Sequence, residues 1–227
     1  MKLHYYGHSC FLIEIESIKI LFDPFITGND LAKEKIDINT IEADYIFISH
    51  GHADHILDAV EIAKRTNAKV VSNWEVCAWL EKQGLTNVHP VNHGGRLSLD
   101  FGRVKFVNAV HSSSMPDGSY GGNPMGFVIE TKEKNLYYSG DTALTYDMKL
   151  IGQSCKIDYC LLPIGDNFTM GIEDAIIASD FVQCNQIVGL HYDTFGYIVI
   201  DKEFAHKKCK KKHKNLSLIE IGEYIEL

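Results

Sequence analysis

Between Ser49 and Ile56 the chain reads SHGHADHI, which puts three histidines and an aspartate within six positions, His50 to His55. Such groups repel one another when charged and lose solvation when neutral and buried. A bound cation removes that conflict, because it takes deprotonated imidazole and carboxylate as ligands. Gly51 and Ala53 add little bulk, so the side chains of His50, His52, Asp54 and His55 can crowd one small volume. Imidazole nitrogen and carboxylate oxygen suit zinc, iron, nickel or manganese, with bonds of about 2.0–2.2 Å for zinc. The chemistry is that of a metal site. A purely structural role for four such groups is the weaker alternative.

Elements must deliver these residues to one place. DYIFIS (44–49) is a run of β-branched and aromatic residues, read as a buried strand that ends at His50. Upstream, 2–7, 10–16 and 18–24 read as short strands, and 24–43 as a loop lining part of a pocket. Downstream, 55–66 carries a helical apolar stripe. A strand over 69–73 follows, then a helix over 73–84 with Asn73 as N-cap and Gly84 as stop. Residues 97–110 read as two strands around Asp100-Phe101-Gly102, and 125–141 as a hairpin turning at Glu133-Lys134. A helix around 145–153, a strand over 159–165, a helix over 171–184, a strand over 186–191 and a Lys-rich helix over 201–213 complete the pattern. The tail 217–227 reads as a last strand pairing a sheet edge. Strands followed by helices, twice over, imply an α/β layered architecture with sheets inside and helices outside. The 227 residues contain no linker, repeat or low-complexity tract, so one domain over 1–227 is expected.

With these residues in view, the chain resembles the metallo-β-lactamase fold superfamily, whose signature is H-x-H-x-D-H after a buried strand. The resemblance implies an αββα sandwich, two mixed sheets packed together with helices on both outer faces. It also implies two divalent metal ions, zinc in the first instance, with manganese, iron or nickel as alternatives. By the family pattern His50, His52 and His111 hold one metal, Asp54, His55 and His191 hold the second, and Asp141 bridges both. His111 (NAVHSSS), Asp141 (YSGDT) and His191 (GLHYD) each follow a predicted strand, as His50 does. Ligands at strand ends on one edge converge.

Six segments, GHSCFLIE (7–14), FDPFITGN (22–29), AVHSSS (109–114), YSGDTAL (138–144), PIGDNFTMG (163–171) and HYDTF (191–195), resemble a group of small metal-dependent hydrolases. That group lies close to the ascorbate-6-phosphate lactonase branch. One departure is Gly196, where the pattern leads to proline. The resemblance implies a metal-bridged hydroxide acting on an ester, lactone or phosphoester of a small, anionic metabolite. Asp54 would be a ligand that also orients the water or accepts a proton. His8 is placed near the metals, and Ser112 and Asn167 are candidate substrate contacts. For His8 a turn role is the alternative, for Ser112 loop shaping, and for the segment around Asn167 helix capping. In diiron oxidoreductases of the superfamily the second histidine of the motif is typically glutamate. His52 stands there and favours hydrolysis.

Composition sets the remaining bounds. A net charge of −8 argues against a dedicated nucleic-acid binder. Nuclease or phosphodiesterase action is therefore the second enzymatic reading, a redox role the third, and a non-catalytic metal-dependent binder the non-enzymatic alternative. The basic run HKKCKKKHKN (206–215) reads as a solvated helix face near a negatively polarised C-terminus. Six scattered cysteines without CxxC spacing read as reduced thiols in a cytoplasmic protein. The N-terminus has no signal-peptide pattern, and no apolar run reaches about 18 residues, so no membrane association is expected. The expected partner is a small-molecule substrate. Exposed sheet edges would permit a homo-oligomer.

Overall fold

A computed structural model describes residues 1–227. In chain order the first strands are β1 (Lys2–Gly7), β2 (Cys10–Ile15), β3 (Ile18–Phe22) and β4 (Tyr45–Phe47). Helices α1 (Ala53–Ile56) and α2 (Ala59–Thr66) lead to β5 (Lys69–Asn73), α3 (Trp74–Lys82) and β6 (Val88–Val91). Next come β7 (Arg96–Leu99), β8 (Gly102–Asn108), β9 (Met125–Glu130), β10 (Asn135–Tyr138), α4 (Met148–Ser154) and β11 (Tyr159–Pro163). The chain closes with α5 (Ile172–Phe181), β12 (Gln186–Leu190), α6 (Lys202–Lys211), β13 (Asn215–Ser217) and β14 (Tyr224–Glu226). No helix is long and apolar enough to cross a membrane.

The chain forms two compact units. The first comprises 1–93, 112–124 and 220–227, and the second 94–111 and 125–219. The first unit holds a mixed seven-stranded sheet in the order β14-β1-β2-β3-β4-β5-β6. Strands β1 to β3 alternate in direction, and β3 to β6 run parallel. The C-terminal ends of β1, β3, β4 and β5 therefore share one edge. Those ends lead directly to His8, Asp23, His50 and Trp74. Helices α2 and α3 cover one face, where Leu21, Ile46, Val70, Ile62, Val76 and Leu80 are buried together. Each such side chain contributes about 1.5–3 kcal/mol by leaving water.

The second unit repeats the plan, with a seven-stranded sheet in the order β13-β12-β11-β10-β9-β8-β7. Strands β7 to β10 are antiparallel and β10 to β13 parallel. The ends of β8, β10 and β12 thus point to one edge, which carries His111, Asp141 and His191. Helices α4 and α5 pack on the sheet through Met148, Ile151, Ala175 and Val182 against Cys160 and Ile187.

Several elements differ from the sequence reading. The helix expected over 55–66 breaks at Leu57–Asp58. Asp58 is claimed there by the preceding loop: its carboxylate accepts from the backbone of Ile26 (2.6 Å) and Thr27 (3.0 Å), and its own N–H donates to Pro24 (3.1 Å). The single strand expected over 217–227 is two short strands. One edges the second sheet beside β12, and the other edges the first sheet beside β1. The loop at 24–43 contains a 3-10 turn, Ile38–Thr40, capped by Asp37. Asn73 does cap α3, its side chain accepting from Val76 N at 2.8 Å.

Candidate functional site

In the first unit the motif turns tightly out of β4. His50 and His55 are fully buried, and the imidazole pair His50 Nε2–His52 Nδ1 is 2.9 Å apart. Gly51 permits the turn. A Cβ there would lie 2.4 Å from Met115 Sδ and 3.2 Å from the Ser114 carbonyl oxygen. The Gly51 N–H donates to Ser113 Oγ (3.1 Å), and that hydroxyl donates to Gly121 O (2.9 Å). Ser112 Oγ stands 3.4 Å from His52 Nε2, at the rim of the turn.

Asp54 sits in the first turn of α1, where a carboxylate meets the positive end of the helix. Its Oδ2 is 3.0 Å from His8 Nε2 and 3.8 Å from His55 Nε2. His8, Asp54 and His55 each offer a ligand atom within 4.8 Å of the others. His8 turns back from β1 at φ 57 and is almost wholly buried.

Asp23 organises this edge from beneath. It is fully buried after β3 and accepts from Ser49 N (2.7 Å), Ser49 Oγ (2.6 Å) and His55 Nδ1 (2.9 Å). The Asp23 carboxylate thus places the His55 proton on Nδ1 and presents Nε2 towards Asp54. Ser49 Oγ also touches His50 Nδ1 at 2.9 Å. A carboxylate or hydroxyl behind a histidine fixes its tautomer and orientation, which is how metal-binding imidazoles are commonly supported.

In the second unit three strand exits meet at one carboxylate oxygen. Asp141 Oδ2 lies 2.9 Å from His191 Nε2 and 3.7 Å from His111 Nε2. Asp141 and His191 are nearly inaccessible, and His111 is slightly open. The support here is mostly backbone. Thr142 Oγ1 accepts from Val110 N (3.0 Å), while the Thr142 carbonyl accepts from Met170 N (3.1 Å). Ala143 N donates to Val110 O (3.0 Å). Gly165 runs so close to His191 that a Cβ would stand 2.1 Å from the His191 carbonyl oxygen.

The donors fit a first-row divalent cation. They are imidazole and carboxylate only, all able to bind deprotonated, and on the first edge His50 and His55 each have an oxygen behind the ring. On that edge the structure brings together His8, His50, His52, Asp54, His55 and Ser112. On the second it brings together His111, Asp141 and His191. Asn167 is different: it is exposed, at φ 54, with its backbone N–H bonded to Asp166 Oδ1 (2.8 Å). The N-cap of α5 is Gly171, which uses no side chain, so the polar residues before it do not cap the helix. Met170 is core.

The roles of Asp23 and Asp58 emerge only from the structure, whereas Ser113 shapes the loop, one of the two roles that Ser112, Ser113 and Ser114 offer in sequence. Asp23 carries a signal in the sequence: it lies inside FDPFITGN, directly after a strand, as the ligands do. The remaining histidines are elsewhere. His4 pairs with Glu14 (3.3 Å), His93 with the Pro124 carbonyl (2.7 Å), and His206 and His213 are exposed.

Comparison with known proteins gives consistent matches. A model of the beta-lactamase superfamily domain matches residues 2–191. A UPF0173 metal-dependent hydrolase from Christiangramia forsetii is 60% identical over 227 residues, the whole of both chains. Another, from Flavobacterium johnsoniae, is 59% identical over the same full span. The solved structure of a metallo hydrolase from the archaeon Ignicoccus hospitalis matches with a TM-score of 0.88 at 34% identity, over 99% of this chain and 97% of that one.

Proposed function

Because the chain belongs to the beta-lactamase superfamily, and within it to the UPF0173 metal-dependent hydrolases, we propose that its two ligand edges serve one two-metal hydrolytic centre. The fold is the metallo-β-lactamase fold, two mixed sheets with helices, and the chain is a metal-dependent hydrolase. The finer reading assigns His50, His52 and His111 to one cation, Asp54, His55 and His191 to the other, and Asp141 to both. Zinc is the proposed cation. Bound there, the cations would polarise the scissile carbonyl or phosphoryl group and lower a shared water's pKa from about 15.7 towards 7.

The chain's own residues do the rest. Asp54 is the proposed catalytic residue: one of its oxygens would help hold a cation, and the other would orient a water and accept its proton. His8, 3.0 Å from Asp54 Oδ2, holds that carboxylate in place. Asp23 and Ser49 hold the imidazoles of His55 and His50 at their orientations. Ser112, at the rim beside His52, is the proposed hydrogen-bond donor to the substrate. The proposed substrate is an ester, lactone or phosphoester of a small anionic metabolite, handled in the cytoplasm by a lactonase-like reaction.

The observation that carries this reading is the pairing of ligand-type side chains with dedicated partners, above all Asp23 behind His55 and His8 behind Asp54. The test is metal quantification on purified protein, followed by turnover of lactones, phosphodiesters and sugar phosphates. Two metals per chain and turnover lost on chelation are expected. Turnover that survived both metal stripping and Asp141→Ala would end the proposal.

A further inference from the structure

The helices of the first unit cover only part of their face of the sheet. Helix α3 lies against β5 and β6. Towards β1, β2 and β3 the residues that face the sheet belong to the segment 35–42, which contains the 3-10 turn. Between that segment and the strands lies a cavity of about 280 Å³. Its floor follows from strand alternation. His4 stands opposite Leu12, Leu12 opposite Leu21 and Glu14 opposite Lys19, so these side chains share the face on which Leu21 is buried. Tyr6, two residues after His4, joins them.

The roof of the cavity is built from fixed parts. Arg65 of α2 donates through Nη2 to the carbonyls of Ile38 (2.9 Å) and Ile41, and its Nη1 reaches Glu42 at 3.4 Å. Asp37 Oδ1 accepts from Asn39 N and Asn39 Nδ2 at 2.9 Å each, and Thr40 Oγ1 donates to the Asp37 carbonyl at 2.8 Å. Ile41 is buried, and Ile36 packs on the same core as Leu12. A preformed concavity with apolar walls and a few polar groups is what small-molecule sites share, and this one lies near the lower end of their range of about 300–1,000 Å³.

The polar groups of the lining fall into two sets. The acidic ones are engaged: Glu14 with His4 at 3.3 Å, Glu42 with Arg65, and Asp37 with its own turn. The donors are not. Neither Lys19 nor Lys35 has an ion-pair partner, and the Tyr6 hydroxyl makes no hydrogen bond. Burial, then the neighbouring Cys10 and Glu14, push the Tyr6 phenol up to about 12, so the hydroxyl keeps its proton. Two ammonium groups and a hydroxyl therefore stand at an apolar floor without an acceptor.

We propose that this cavity binds a monocarboxylate with a short apolar body. The carboxylate meets Lys19, Lys35 and Tyr6, and the body lies on Leu12, Ile36 and Ile41. The acidic residues limit the charge of the ligand. A phosphate monoester would bring two negative charges beside Glu14, Asp37 and Glu42, whereas a single carboxylate is matched by the two lysines. No lining residue is a proposed metal ligand, so the site is separate from the hydrolytic one and does not depend on it.

The experiment titrates hexanoate into the full metal-containing chain, followed by calorimetry and by amide NMR shifts. Hexanoate binds saturably, one per chain, while hexanol and inorganic phosphate bind about tenfold more weakly or worse. Amide signals within 4–19 and 35–42 move, and those of 49–56 stay in place. Lys19→Met and Lys35→Met each weaken hexanoate about three- to tenfold, and Tyr6→Phe about threefold, with metal content unchanged. Absence of saturable binding, hexanol binding as tightly as hexanoate, full affinity in both lysine variants, or shifts confined to 49–56 would overturn the proposal. The last result would place the carboxylate on the first ligand edge. The wild-type shift map decides this even where a variant fails to fold.

Discussion

The two ligand edges carry the same donor types and hold them by opposite means. On the first, four candidate ligands crowd one turn, and side chains hold them: Asp23 and Ser49 behind the imidazoles, His8 behind Asp54, Ser113 on the Gly51 amide. On the second, one residue comes from each of three strand exits, and the backbone holds them through Thr142, Val110 and Gly165. A crowded turn needs chemistry to keep its side chains apart and aimed. Scattered exits are aimed by the sheet itself and need close backbone packing. The first edge should therefore be sensitive to loss of a functional group, the second to added bulk.

The largest effect tests what the edges share. Asp141→Ala removes the carboxylate on which His111 and His191 converge. It should lower metal affinity by more than the about 10–100-fold typical of supporting residues. Metal analysis after dialysis against a chelator measures it, and wild-type retention would break the reading of both edges. Asp23→Ala comes next, with about 10–100-fold weaker metal binding and about 1–3 kcal/mol of lost stability from unpaired buried donors. Asp23→Asn keeps the shape and should recover part of the stability in denaturant titrations. Recovery of metal affinity as well would show that shape, not charge, governs the first edge.

Gly165→Ala is the counterpart on the second edge, because it changes bulk and removes no polar group. It forces the His191 backbone to move at a cost of about 1–3 kcal/mol, which thermal unfolding reads as a drop of several degrees. An unchanged melting temperature would remove the contrast between the edges. His8→Gln should cost about tenfold in turnover, at the lower end for a group that orients a ligand. Its effect should fall on kcat more than on metal content.

The smallest expected effect is a gain. Gly196 opens a 3-10 turn, Phe195 before it is extended at φ −123 and ψ 152, and nothing lies within 4 Å of a Cβ at 196. Proline is compatible with both conditions. Gly196→Pro should stabilise by about 0.4–1 kcal/mol, and a loss of stability would show that the loop after His191 is under tighter constraint.

The same contrast governs what could be read from sequence. The turn at 50–55 announced its chemistry because four such donors within six residues are hard to bury together without a cation between them. His111, Asp141 and His191 did not. Each is an ordinary residue after a strand, and only resemblance to a known pattern joined them. Asp23 was harder still, because a buried aspartate after a strand looks like any turn residue until its three donors are seen. Strand positions were legible wherever apolar runs were continuous, as in β2, β5 and β11. The helix break at Asp58 was not, since it comes from a loop more than thirty residues earlier claiming that carboxylate. The split tail was hidden for a related reason. Short edge strands carry little apolar signal, and their pairing is decided by the sheet they reach.

The placement of β14 also bears on how the protein is made. Strand β1 is synthesised well before its outer partner β14, which lies far along the sequence, with Lys2 opposite Glu226. Until β14 emerges, the nascent sheet presents β1 as an open template for any other extended chain. Helices elsewhere can form locally, but this edge waits on a loop closure of very high sequence separation. Losing β14 to a nonsense codon just before it would thus be expected to show up as aggregation during synthesis, with every proposed ligand still present.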